Sequence, residues 1–316
     1  MITQILFNIP AMYEAAVRSG NLIQIGGLLK DAASGKIVAH LQESGLAHSL
    51  ISKSILGATS PIPLAISSAA NTGTGIYTAI QVKQIKEMVA GLQSLQIATL
   101  GVSLVGIGVS VAGFMYMYKR FNLLDQKIDT LIDKVTSGFE DQQKSMIRSH
   151  MYQTKGLVQQ AKQANTLTKP EHEYARIAEA LAGEAAHFEG ELEFVIKANG
   201  NINLELFWQL AQALMVCNSV RIDCRIRTNE LYNALTVSEE VASNYQRLFE
   251  NLTPISFSKK GKEINLTVKA LKDITDSAST KPYLIDYLHR RQIDGRAYLG
   301  QLENETERPL LMLNVA

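Results

Sequence analysis

Ile97 to Tyr118 reads IATLGVSLVGIGVSVAGFMYMY, 22 residues without a charged side chain. That is about the length a helix needs to cross the hydrocarbon core of a bilayer. The exit, Phe114-Met115-Tyr116-Met117-Tyr118 followed by Lys119 and Arg120, has the aromatic-then-cationic composition of a membrane–water interface. The expected fold class follows from this stretch. It is mainly α, with a long central helix carrying a Gly-rich transmembrane segment and a coiled-coil extension. A C-terminal helical bundle and a small N-terminal helix plus β-hairpin complete it.

At about 100° per residue the segment separates into faces. Ile97, Leu100, Leu104, Ile107, Val111, Phe114 and Tyr118 form a bulky stripe suited to lipid. Ala98, Gly101, Val105, Gly108 and Ala112 form one small face, and Thr99, Ser103, Gly106, Ser110 and Gly113 another. Small residues let helices approach closely in lipid, and two such faces allow two neighbours, as in a closed ring. The remaining arc, Leu95, Val102, Val109, Tyr116 and Arg120, is the expected pore lining. Val102 and Val109 would form a dewetting constriction there, with Arg120 at one mouth. The same pattern also suits a membrane anchor without a pore, or the buried centre of a helical bundle.

Composition sets the wider limits. The 316 residues are 46% hydrophobic and 19% charged, with a net charge of +1. Soluble domains carry about 25% charged residues, and the shortage here is local: 54–82 and 88–118 contain no Asp, Glu, Lys or Arg. Disorder is excluded by the apolar content. The near-neutral balance argues against generic nucleic-acid binding. Two cysteines, Cys217 and Cys224, make no disulfide framework and read as buried free thiols. The N-terminus lacks a basic region before its short apolar run, so a secretory signal is not expected. Lys119, Arg120, Lys127 and Lys134 follow the segment, which favours a cytoplasmic C-terminal domain.

Four regions are expected. Residues 1–53 hold a short helix after Ile9-Pro10-Ala11 and a hairpin of runs 21–30 and 36–42 about Asp31–Gly35. Leu310–Val315 is a candidate third strand. Residues 54–120 are the membrane region, spanning at 97–118. Residues 121–168 are the coiled-coil helix, its seam Phe121, Leu124, Ile128, Leu131 and Val135. Residues 169–316 are helical, with patterns at 171–197, 203–235, 237–250 and 282–304 and a turn at Asn199-Gly200-Asn201.

Chemistry is sparse. Glu184-Ala185-Ala186-His187 matches the Glu-x-x-His element of di-iron bundles, but it has no second copy, and packing or a local hydrogen bond explains it better. No zinc spacing, phosphate loop or nucleophile elbow occurs, so neither enzymatic activity nor a cofactor or metal is expected. Arg221 and Arg225, four apart on one helix face, are the candidate ligand-binding pair for a phosphate or carboxylate. The alternative is an ion-pair network with Asp223, Glu230 or the acids Glu189, Glu191 and Glu193. Lys259, Lys260 and Lys262 read as a solvated loop.

The Gly-rich segment Leu100–Gly113 joined to the heptad-like stretch Phe121–Val135 resembles the membrane-channel effectors of bacterial anti-phage defence of the Hailong type. In these a nucleotidyltransferase is paired with a channel. The resemblance implies a homo-oligomer in the lipid bilayer of a bacterial inner membrane, ion leakage, growth arrest, and a regulatory partner protein or nucleotide signal. The expected function is an oligomeric membrane channel or membrane-disrupting effector gated by its helical domain. The alternatives are an α-helical pore-forming toxin component and a non-pore, membrane-anchored coiled-coil scaffold.

Overall fold

The computed structural model describes residues 9–25, 27–41, 128–129, 131–132, 141–258, 262–304 and 313–314. The architecture is mainly helical with a small antiparallel sheet. Its elements are α1 (Ala11–Arg18), β1 (Leu22–Ile25), β2 (Leu28–Asp31), β3 (Ile37–His40), α2 (Asp141–Ala164), α3 (Glu171–Lys197), α4 (Leu204–Arg227), α5 (Leu231–Phe249), a 3-10 turn (Pro254–Ser256), α6 (Lys262–Arg290), α7 (Gly295–Asn304) and β4 (Leu313–Asn314).

The centre of the bundle is α4. Asn203 caps its start, its side-chain oxygen accepting from the backbone N–H groups of Glu205 at 3.0 Å and Leu206 at 3.1 Å. Twenty of its 24 residues are buried, because α2, α3, α5 and α7 all pack on it. Phe207 meets Trp208, Phe249 and Phe257 edge-on, with centroids 5.3, 6.1 and 5.5 Å away. Each such pair is worth about 0.5–1.5 kcal/mol beyond the area it buries.

The polar residues of α4 find partners within the fold. Asp223 Oδ2 accepts from Arg227 Nε at 2.7 Å with both side chains almost fully buried. Asn218 donates to the Tyr245 hydroxyl at 3.3 Å. Gln212 is the exception: it is fully buried and neither end of its amide has a hydrogen-bond partner.

Where α4 ends, the chain differs from the expected helix over 203–235. Asn229 adopts φ 58°, and Glu230 N–H reaches back to Arg225 O at 3.1 Å while Asn229 N–H reaches Ile226 O at 2.9 Å. This paired reversal stops a helix without glycine or proline. The Asn229 side chain also accepts from Gly295 N–H at 2.8 Å, fixing the start of α7. A Cβ on Gly295 would lie 2.5 Å from Ile226 O, so the close approach of α7 to α4 requires glycine there.

Two further boundaries differ from the sequence reading. The expected helix 282–304 is instead α6, which starts at Lys262 and carries Pro282 inside it, and α7. The expected hairpin is a three-stranded meander, because the run 21–30 pairs with itself as β1 and β2. β2 pairs β3, and β4 pairs β3 with Ala39 opposite Asn314 and His40 opposite Leu313. Asp31 shapes the β2–β3 turn, accepting from the Ser34 N–H and hydroxyl at 2.7 Å each, and Gly35 takes φ 68°.

Among the described residues, no helix is long and apolar enough to cross a membrane. This corrects the expected inner-membrane localisation, and with it the transmembrane, pore and ion-channel assignments. The physical reason lies in the long helices themselves. α2, α3, α5 and α6 carry polar outer faces, and α4 is interrupted by Gln209, Gln212, Asn218, Asp223 and Arg227. The stretch 54–118 and Arg120, with all the expected pore-lining and helix-packing residues, lie outside the described residues, as do Lys259 and Lys260. Two seam residues of the expected coiled coil are described, and Ile128 and Leu131 are buried as part of the bundle's own core.

Candidate functional site

Among the described residues, a group of reactive side chains lies where α2, α3 and α4 meet. His150 and Thr154 are four apart on α2 and so share its inner face. His150 Nδ1 lies 2.9 Å from Glu184 Oε2 on α3. One turn along α3, His187 stacks its ring on His150 with centroids 3.6 Å apart and planes 18° from parallel. Phe188 closes the pair edge-on, 6.4 Å from His150 and 5.5 Å from His187. His187 Nε2 is shielded from solvent and has no hydrogen-bond partner. Burial, and then the neighbouring His150, lower the pKa of His187 below the ordinary histidine value.

Thr154 covers Cys217 of α4, with Oγ1 and Sγ 3.6 Å apart. Burial pushes the Cys217 thiol up to about 12, and Cys224 is also buried and raised. Neither is a nucleophile in this setting, since the reactive form is the thiolate. The expectation of buried free thiols is met. Among the described residues no group of three or more His, Cys, Asp or Glu side chains is placed to hold a metal ion. The parallel stack of His150 and His187 does not converge two ring nitrogens on one point. Glu184 of the Glu-x-x-His element is instead used in a hydrogen bond between helices.

Arg221 and Arg225 do lie one turn apart on α4, but the structure directs them to different carboxylates. Arg221 Nη2 lies 3.5 Å from Glu240 on α5. Arg225 lies 2.8 Å from Glu230 and 3.8 Å from Glu179 on α3. Both side chains are less than one-fifth exposed. Of the acids considered from sequence, Glu230 is a partner. Glu189 and Glu193 are bound by Arg247 of α5 instead, and Asp223 by Arg227. The Arg227 guanidinium also lies 5.8 Å from the Tyr174 ring centre and donates to Asn165 at 3.4 Å.

Sequence reasoning missed His150. Its signal was present, since Ile147, His150, Met151 and Thr154 recur at three- and four-residue steps on an otherwise polar helix. The Asp223–Arg227 pair was also legible as an acid four residues before a base. No protein-family model, curated protein or solved structure matches the chain. The class that the fold defines is a mainly helical bundle with a small antiparallel sheet.

Proposed function

We propose that this chain is a non-catalytic interaction protein that assembles with copies of itself and is regulated through its helical bundle. The observation that carries this reading is how the bundle disposes of its reactive groups. Both thiols are buried and protonated, and Arg221, Arg225, Arg227 and Arg247 are each held by carboxylates of the same chain. Large apolar side chains meanwhile remain outside: Phe194 is 67% exposed, Tyr232 69% and Ile255 78%. Such surfaces suit binding rather than turnover.

The sequence supports a second copy as the partner. Residues 88–118 form a run of 31 without charge, which needs cover from water, and their glycine- and alanine-bearing faces allow close association. The heptad-like seam supports this less, because Ile128 and Leu131 are used inside the bundle. An effector whose assembly is gated by its helical domain or a regulatory partner fits this reading without a bilayer. Sedimentation of the full chain in lipid-free buffer tests it. A discrete oligomer that is lost in Gly101→Leu and Gly108→Leu is expected, and a single-chain species at tens of micromolar would overturn the reading.

A further inference from the structure

The His150–His187 stack joins two helices, not two turns of one helix. It sits under few competing charges. Among the described residues, the titratable groups acting on His187 are His150 from α2 and Glu184 and Glu191 from its own helix. From α4 the Cys217 thiol lies close enough to sense the Glu184 carboxylate. His150 has a carboxylate at hand, its Nδ1 lying 2.9 Å from Glu184 Oε2. A proton on His187 has no such place. His187 Nε2 is shielded and unpartnered, and the new charge would lie against the His150 ring 3.6 Å away, out of contact with water on that side.

We infer that the His150–His187 stack is a proton-operated latch: with His187 neutral it holds α2 against α3, and a proton taken up by His187 releases α2 from the bundle. The sign follows from linkage. The docked fold keeps His187 neutral to a lower pH than the released chain does, so the released state binds more protons, and acid favours it. The window opens just below the ordinary histidine value of 6.5. Thr154, one turn beyond His150, covers Cys217, so release of α2 uncovers that thiol. Cys224 lies seven residues, about two turns, further along α4 beside the Asp223–Arg227 pair, so its labelling reports opening that extends beyond the Thr154 contact.

The test uses the full chain and 4,4′-dithiodipyridine, a disulfide that reacts with thiols in mild acid, with the labelled cysteine identified by peptide mass. Rates are normalised to a small free thiol at each pH. Between about pH 7.5 and pH 5, Cys217 labelling is expected to accelerate about tenfold or more, while Cys224 does not follow. His187→Phe keeps a ring on the stack but cannot take a proton, and it should abolish the acceleration; His187→Gln serves the same purpose if the larger ring disturbs folding. Three results would overturn the latch: no acid response at Cys217, an equal response in the His187 variants, or equal acceleration at Cys224, which marks general unfolding.

Discussion

The bundle and the N-terminal sheet bury side chains of the same kind but secure them differently. Around α4, apolar side chains from α2 to α7 form one continuous core, and the buried charges are paired within it. The sheet buries Leu22, Leu28, Leu29, Ala39 and Leu41, yet none of these joins that core. Its described ties to the bundle are made through α6: Lys30 lies 5.5 Å from the Tyr283 ring centre, and His40 6.1 Å from Tyr287. His40 is buried without a charged partner, and desolvation lowers its pKa to about 4. A core enclosed by helices gains stability from every side, whereas a docked sheet depends on a few contacts and on one imidazole staying neutral.

The sharpest way to break this contrast is to cut each region equally. Phe207→Ala should cost about 3–5 kcal/mol and unfold the bundle, seen as loss of the emission of Trp208, the chain's single tryptophan. Leu29→Ala removes a fully buried side chain at about 2–4 kcal/mol, but it should loosen the sheet while leaving Trp208 emission unchanged. Equal loss of Trp208 emission in both would show that the two regions fold as one.

Acid gives the next largest effect. The neutral-His40 contribution is complete above the unfolded value of 6.5 and is lost as pH falls towards 4, where the folded imidazole takes its proton. The total is about 3 kcal/mol. His40→Phe should flatten that part of the pH profile when sheet amide exchange is followed. Smaller still is Gln212→Met. It removes an amide without partners from the centre of α4, and a gain of about 1 kcal/mol in denaturant unfolding is expected. Arg290→Ala breaks an exposed pair with Asp286 and should change stability by less than about 0.5 kcal/mol.

Much of the bundle was legible in the sequence. The pattern at 171–197 corresponds to α3 residue for residue, and the Asn199-Gly200-Asn201 turn occurs, with Gly200 at φ 87°. Leu310–Val315 contributes β4, although as a fourth strand. The misses have physical causes. Asn229 ends α4 through a left-handed residue that carries no strong signal in composition. Pro282 lies inside α6, where proline usually marks an end. For the candidate site, Glu184 and His187 were noticed, but His150 lies 34 residues away and only packing brings it to them. The Arg221–Arg225 face was correctly placed on a helix, yet its carboxylate partners come from α3, from α5 and from the turn after α4, and sequence does not give that distance. The membrane expectation rested on one apolar run, and local hydropathy does not specify what covers it.

The central claim is that the helices around α4 form a closed unit that holds its own reactive groups and to which the sheet is attached. Native-state hydrogen exchange of the full chain at neutral pH tests this most directly. The amides of 206–226 should exchange slowest and together, through global unfolding alone, while those of β1 to β3 exchange faster through a separate opening. Protection of the sheet equal to that of α4, or rapid exchange within α4, would contradict it.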